Sequence, residues 1–286
     1  MDFKDPAVLA ALSAVTSIVT TLAIKPWIDN KFHKLKLDVE FKSEQRKKIK
    51  QVLAKYKVHL IKVCDEVNHR FWNFQENYSQ NWHCVKNEDY DKPNYYFKSF
   101  VYRIMAVFAW IKIIEEELIY LDTTIASKEE LNLLKYFRLF KEIFTSVQIF
   151  KGLPYNQSHA IDHFFRNKFE EMTELFIKDN KVIPFSEFNN NFHSLLPSIE
   201  PICAFLNGIN PDEKRLRWDR FHLFHIVLIG FVNSYGYDFQ QVDEETILKI
   251  NTRIGKNKLL NNLQEHIAYY KLDKEKELMS VITTLR

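Results

Sequence analysis

The side chains with the clearest catalytic potential lie close together in the segment Arg215–His225, which reads RLRWDRFHLFH. It contains two arginine–histidine pairs with the same separation, Arg217 with His222 and Arg220 with His225. A histidine can act as general acid or base near neutral pH, and an arginine can stabilise the negative charge of a phosphorane. These four residues are therefore candidate catalytic groups for acid–base chemistry at a phosphate ester.

The same segment also allows a purely structural interpretation. In a regular α-helix, two residues five apart in sequence point about 140° away from each other, so each arginine and its histidine would not face one substrate. The segment would then be a basic amphipathic helix whose partly buried histidines cap a neighbouring helix. The sequence leaves both interpretations open.

Other chemistry is not indicated by the sequence. It contains no phosphate-binding loop, dinucleotide-binding fingerprint, nucleophile elbow or HExxH motif. The three cysteines are far apart, which predicts reduced thiols, and His159 and His163 are four apart without an evident third metal ligand. We therefore expect no metal, no cofactor and no small-molecule substrate.

The elements that must position these groups begin with an apolar N-terminal segment. Pro6–Ile24 is nineteen residues long and contains no charge. As a helix rising about 1.5 Å per residue, it nearly spans a hydrocarbon core of about 30 Å. The following segment, Lys25–Lys50, carries nine Lys or Arg residues against four acids. This bias predicts a single-pass anchor within residues 1–30, with residues 31–286 in the cytoplasm and the basic segment close to lipid headgroups.

Two alternatives to a membrane anchor are open. A cleaved signal peptide would have a basic start and a short apolar core, whereas this chain begins MDFKD and its apolar segment is long. A buried helix of a soluble protein is the stronger alternative, because the segment is rich in alanine, serine and threonine.

Small hydroxyl side chains recur along the apolar segment at spacings of three and four and share one helix face. These candidate pore-lining residues are Ser13, Thr16, Ser17, Thr20 and Thr21. The other side, with some overlap at its edges, carries Leu9, Leu12, Val15, Val19 and Leu22. The hydroxyl face either packs against another membrane helix or, in a ring of several copies, lines a water-filled lumen. Both interpretations need self-association or a membrane partner.

The rest of the chain is predicted to be all-α. The sequence is 46% hydrophobic and contains only five glycines, which excludes general disorder and favours long helices, and its net charge of +3 does not by itself indicate nucleic-acid binding. No strand pattern is evident. We expect helices over residues 37–75, 95–121, 127–150, 156–177, 185–196, 211–235, 244–254, 257–270 and 272–284, with a capping box at Ser127 and Glu130, a helix cap at Asn156 or Ser158, and breaks at Pro197 and Pro201.

One N-terminal membrane helix, a helical body and an R-x4-H cluster together resemble the membrane accessory protein of type VI-B CRISPR systems, which is HEPN-like and pore-forming. The resemblance rests on Pro6–Ile24 and on the pairs Arg217/His222 and Arg220/His225. It implies a HEPN-like body in the bacterial inner membrane, a homo-oligomeric pore, and an RNA-guided effector complex or RNA as partner. The residue after each arginine, Trp218 or Phe221, departs from the polar residue usual in the HEPN motif.

Three functions are compatible with these observations. The leading hypothesis is an oligomeric, non-enzymatic effector of antiviral defence that opens a membrane pore and depolarises the cell. The alternative is a membrane-tethered HEPN-like ribonuclease that uses the Arg/His cluster. The third is a membrane scaffold with neither activity. A monomer in detergent would be incompatible with a pore built from one helix per chain.

Overall fold

A computed structural model describes residues 6–85, 90, 93–155, 162–254 and 257–286. Helix makes up 78% of the chain and strand 2%, which confirms the predicted all-α class. The helices are α1 (Pro6–Val19), α2 (Lys25–Asn77), α3 (Tyr95–Leu118), α4 (Lys128–Thr145), α5 (Arg166–Glu174), α6 (Phe185–Asn190), α7 (Phe192–Leu206), α8 (Arg217–Tyr235), α9 (Glu244–Ile254), α10 (Asn257–Tyr269) and α11 (Lys276–Thr284).

Helical structure also continues between α1 and α2, where Thr20–Ile24 forms a π-helical turn. The Thr20 hydroxyl donates to the carbonyl of Thr16 (2.8 Å), the oxygen that an α-helical amide at this position would use. The amide of Lys25 donates instead to the carbonyl of Thr20, a wider turn. Pro26 follows directly, and its missing amide hydrogen removes one backbone bond from the continuous helix next to this wider turn.

The chain divides into two compact units. The first contains Met1–Gln51 and Leu121–Ala126, and the second contains Val52–Tyr120 and Ser127–Arg286. In the first unit, the Arg46 side chain donates to the carbonyl of Ile125 (2.9 Å). The helix α2 passes without interruption through residue 30, where we predicted the end of the anchor, because no helix-breaking residue lies there.

The second unit is built around α8, of which sixteen of nineteen residues are buried. The ring of Phe224 lies 5.0 Å from that of Phe144 and 5.4 Å from that of Phe140, centroid to centroid. A Cβ atom on Gly230 would lie 3.0 Å from the Cα atom of Leu278 in α11. Glycine is therefore required there for the close approach of α8 and α11, and α8 is the centre of an aromatic core.

One strand pair departs from the expectation of helix through residue 177. Ile177–Lys178 (β1) pairs antiparallel with Lys181–Val182 (β2). Asp179 and Asn180 connect them with φ angles of 52° and 58°. Aspartate and asparagine tolerate this left-handed region, so they form a two-residue hairpin turn that ends the helical path.

The prediction that Pro197 and Pro201 break a helix is wrong. Both lie inside α7, and the chain breaks earlier, between α6 and α7 at Asn191. Pro197 is exposed, and the helix is held by a buried face. That face consists of Phe192, Ile199, Ile202, Cys203, Phe205 and Leu206. The free energy of burying these side chains exceeds the cost of the two missing amide donors.

Other predicted helix ends are confirmed or shifted. The capping box of Ser127 and Glu130 is present at the start of α4. The helix α4 ends at Thr145, not at Phe150, and α8 begins at Arg217, not at Pro211. A buried arginine lies at each of these places, Arg220 at the end of α4 and Arg217 at the start of α8. The predicted caps Asn156 and Ser158 lie outside the described residues.

Candidate functional site

The apolar N-terminal helix is exposed along its described length. Within residues 6–22, no side chain is buried; Val15 is 59% and Leu22 74% exposed. An eighteen-residue window of this helix has a mean hydropathy of 2.1 and is long and apolar enough to cross a membrane. An exposed apolar surface of this size needs a cover. This exposure argues against the alternative in which the segment is a buried helix of a soluble fold.

The hydroxyl side chains of α1 and of the π-helical turn are all exposed. The Thr16 hydroxyl lies 2.9 Å from the carbonyls of both Leu12 and Ser13, and Thr20 donates to Thr16. Bonds to the helix's own backbone satisfy these hydroxyl protons, so they lower the cost of placing the threonines in lipid or against another helix. The five predicted residues therefore form an exposed stripe in which two of the hydroxyl protons, those of Thr16 and Thr20, are bound by the helix backbone.

A second exposed apolar row, which the sequence analysis missed, lies on the first part of α2. Ile28, Phe32, Leu35 and Val39 are spaced by four, three and four residues, and each is between 38% and 69% exposed. This is the spacing of the apolar seam of a coiled coil. The signal was visible in the sequence, but the many lysines between these residues obscured it.

Arg217 of the Arg/His cluster is 6% exposed and holds the end of α7. Its Nη1 atom donates to the carbonyls of Ala204 (2.9 Å), Phe205 (3.0 Å) and Asn207 (2.9 Å). Its Nε atom donates to the carboxylate of Glu213 (2.8 Å). Carbonyls in the last turn of a helix have no intrahelical partner, so this arginine is a helix cap and the partner of a partly buried carboxylate.

Arg220 is fully buried and has the same role at the end of α4. Its guanidinium donates to the carbonyl of Ile143 and to that of Ser146 (3.1 Å), and its Cζ atom lies 4.6 Å from the ring centroid of Phe150. Burial lowers the pKa of Arg220 to about 10, so it stays charged at neutral pH. The early end of α4 follows from this cap.

The two histidines of the cluster are fully buried. The Nδ1 atom of His222 lies 2.9 Å from the carbonyl of Trp218, and the Nε2 atom of His225 lies 2.9 Å from Oδ1 of Asn68. Burial, and then the neighbouring His222, hold the pKa of His225 well below its usual range. These contacts support the structural interpretation, because RNA would reach the cluster only after α8 is exposed. Catalysis by it stays a prediction.

Buried neutral histidines predict acid sensitivity of the second unit. His83 is 2% exposed and contacts the carbonyl of Ile209 (3.0 Å), and burial lowers its pKa from 6.5 to about 4. As the pH falls, the imidazole of His83 is protonated in the unfolded chain before it is protonated in the folded chain. The free energy of unfolding should therefore be highest above pH 6.5 and should fall by on the order of 3 kcal/mol as the pH approaches 4.

Chemical denaturation at pH 7.5 and pH 5 measures this loss. His83→Gln keeps a hydrogen-bond donor for Ile209 and should reduce the difference between the two pH values. An equal loss in His83→Gln and in the wild-type chain would contradict the assignment of this proton to His83.

In the described part of the chain, the histidine and cysteine side chains form neither a metal site nor a reactive-thiol site. There, no group of three or more His, Cys, Asp or Glu side chains could hold a metal ion. His159 lies outside the described residues, and the Nδ1 atom of His163 lies 2.6 Å from the hydroxyl of Tyr155. Cys64 and Cys203 are buried, and burial raises the pKa of both thiols. Neither cysteine is therefore available as a reactive thiolate.

A further cluster that the sequence analysis missed lines an open cavity of about 370 Å³ between α2 and α3. Its lining includes Arg70 from α2, Tyr96 and Arg103 from α3, and Trp82 from the connection between them. The sequence signal was the helical spacing of Glu66, Arg70 and Asn73 on a helix whose neighbouring positions are apolar. Two arginines beside two aromatic rings are a combination that binds anions.

Comparison of the chain with protein-family models, with curated proteins and with solved structures finds no match.

Proposed function

We propose that this protein is a membrane-anchored effector that assembles into a homo-oligomer and opens a pore, which depolarises the cell membrane. The observation that carries the proposal is the exposure of the apolar helix within residues 6–22. An isolated helix of this length and composition has two stable environments, a bilayer and a bundle of like helices. In a pore, each helix contacts both the bilayer and the neighbouring helices.

Charge supports the orientation of the anchor. Nine basic residues follow the apolar helix within Lys25–Lys50, and the side chains of this part of α2 are almost all exposed. Basic residues are retained on the cytoplasmic side, where they also meet anionic headgroups. We therefore place the residues after α1 in the bacterial cytoplasm and the protein in the inner membrane.

Self-association is supported by two exposed rows of side chains. The apolar faces of the anchor beside the hydroxyl stripe can contact lipid and neighbouring anchors, which leaves the stripe itself facing the lumen. The apolar row from Ile28 to Val39 follows with coiled-coil spacing. Other copies of this chain would cover this row. The row on α2 would then hold the anchors in register.

The cellular role that we propose is CRISPR-associated antiviral defence by loss of membrane potential. Its support is the resemblance of the anchor, the helical body and the R-x4-H pairs to the type VI-B accessory family. The second unit would be a HEPN-like body in which Arg217 and Arg220 cap helices. We prefer the pore to a tethered ribonuclease because the four cluster residues are buried and hydrogen-bonded in the core.

The pore is tested by replacing two hydroxyl side chains of the stripe with leucine. Ser17→Leu combined with Thr20→Leu removes two adjacent hydroxyls and narrows the lumen, so dye or ion leakage from proteoliposomes should be abolished. Val15→Leu combined with Val19→Leu makes a similar change on the other side and should leave leakage intact. The oligomer should keep its size in detergent in both variants.

Unchanged leakage in the stripe variant would reject the lumen. A monomer in detergent would reject the pore altogether. If the stripe variant instead loses its oligomeric size, then the hydroxyl face packs against neighbouring helices rather than lining a channel.

A further inference from the structure

The cavity between α2 and α3 has the chemistry of a small-molecule site. Its volume of about 370 Å³ lies in the range of such sites, about 300–1,000 Å³. Its walls carry two arginines, one histidine, one carboxylate, one amide and two aromatic rings, from Glu66, His69, Arg70, Asn73, Trp82, Tyr96 and Arg103. All of them belong to the second unit.

The two arginines are close enough to repel each other. Burial, and then the charge of Arg103, lower the pKa of Arg70. Arg70 is held in place by its Nη2 donation to Ser99 (3.0 Å) and by the ring of Tyr96, 4.3 Å from its Cζ atom. The cavity's carboxylate, Glu66, pairs with Lys62 at 3.9 Å, and among the described residues neither arginine has an ion pair. An anion between the arginines would remove this repulsion.

Arg103, the second arginine of the cavity, has one guanidinium nitrogen without a partner in the described part of the chain. Its Nη1 atom is buried and has no hydrogen-bond partner among the described residues. Leaving a charged donor buried and unsatisfied is costly, and in native proteins such a group usually has a water, ion or ligand as partner. A phosphate oxygen offers the bidentate geometry that a guanidinium prefers.

Aromatic and polar side chains of the same cavity extend this anion site. Trp82 is 43% exposed, and its ring centroid lies 5.6 Å from that of Tyr96. The connection that carries it is held by Asn94, whose side chain donates to the carbonyl of Trp82 (2.9 Å). A partly exposed, positioned indole offers a face on which a flat heterocycle can stack. Asn73 can hydrogen-bond the polar edge of such a ring.

We propose that this cavity binds a nucleotide, with its phosphate between Arg70 and Arg103 and its base stacked on Trp82. The cavity presents both halves of the ligand's chemistry, with arginines from α2 and α3 and the indole from the connection between these helices. This site is independent of the Arg/His cluster in α8 and of the proposed pore. A failure of either proposal leaves the other standing.

The test uses the detergent-solubilised full chain and AMP as the probe, with calorimetric titration and the midpoint of thermal unfolding as readouts. AMP should bind and raise the midpoint. Adenosine, which lacks the phosphate, and ribose 5-phosphate, which lacks the base, should each bind at least about tenfold more weakly. Arg103→Gln and Arg70→Gln should each weaken AMP binding at least about tenfold, the loss expected for one hydrogen bond to a charged group.

Arg138→Gln is the matched control, because Arg138 is exposed on α4, away from the cavity lining. It should leave AMP binding unchanged. Without ligand, Arg103→Gln should unfold no earlier than the wild-type chain, since it removes an unsatisfied charge; this separates a ligand-binding role from a structural one.

Three results would overturn the proposal. The first is no heat and no shift of the midpoint with millimolar AMP, ADP, ATP or GMP. The second is AMP binding that survives both arginine substitutions. The third is binding of a short single-stranded RNA that depends on Arg70 and Arg103 while AMP does not bind, which would assign the cavity to a nucleic-acid chain.

Discussion

Replacing Val15 and Ile18 together by arginine should move the protein from the membrane fraction to the soluble fraction. Both side chains are more than half exposed and lie near the middle of the apolar helix. An arginine at the centre of a membrane helix costs about 2.5–3.5 kcal/mol on insertion scales, so two should lower insertion by more than about a thousandfold. Carbonate extraction of membranes followed by immunoblotting measures the distribution.

The control places the same charges on the neighbouring helix α2. Leu37→Arg combined with Phe41→Arg changes two side chains that are also more than half exposed but lie after the basic segment begins. This variant should stay in the membrane fraction. Retention of the Val15/Ile18 variant in the membrane fraction after carbonate extraction would show that the apolar helix is not the anchor. This result would also reject the proposed pore.

Replacing Arg220 by alanine should lower the free energy of unfolding by about 3–5 kcal/mol. The substitution leaves the carbonyls of Ile143 and Ser146 without their donor and opens a cavity beside the ring of Phe150. Arg217→Ala should cost a similar amount, because it leaves three carbonyls at the end of α7 without their donor and the partly buried carboxylate of Glu213 without its partner. Chemical denaturation of the detergent-solubilised chain measures both.

The exposed Arg138 again provides the control, and Arg138→Ala should change the free energy of unfolding by no more than about 0.5 kcal/mol. The same variants separate the structural interpretation from the ribonuclease hypothesis. A stable Arg220→Ala protein that has lost RNA cleavage would make Arg220 a catalytic residue. Loss of stability in the arginine variants, without any RNA cleavage by the wild-type chain, would confirm that the motif is structural.

Local features were predicted well where a short stretch of residues is sufficient to define them. The capping box at Ser127 and Glu130 needs only neighbouring atoms, and α9, Glu244–Ile254, was predicted with its observed bounds. The two prolines in α7 were misjudged for the opposite reason. Their local cost is outweighed by apolar side chains that are buried against other parts of the second unit. The hairpin between β1 and β2 was missed because two paired residues per strand leave no readable alternation.

The candidate site was predicted in part for a similar reason. The hydroxyl stripe was found because helical periodicity alone puts its members on one face. Arg70 and Arg103 are on different helices, and no sequence pattern relates residues 33 apart to one another. Their shared cavity follows from the packing of α3 against α2.

The sequence by itself determined that the chain is helical and that it begins with an apolar helix followed by basic residues. Both properties depend on composition and short-range spacing. Only the tertiary structure decided that the apolar helix is exposed, that the R-x4-H pairs are buried, and that their arginines cap helices. Burial depends on which helices pack together, and the same arginine spacing is compatible with a surface catalytic site or with the ends of two core helices.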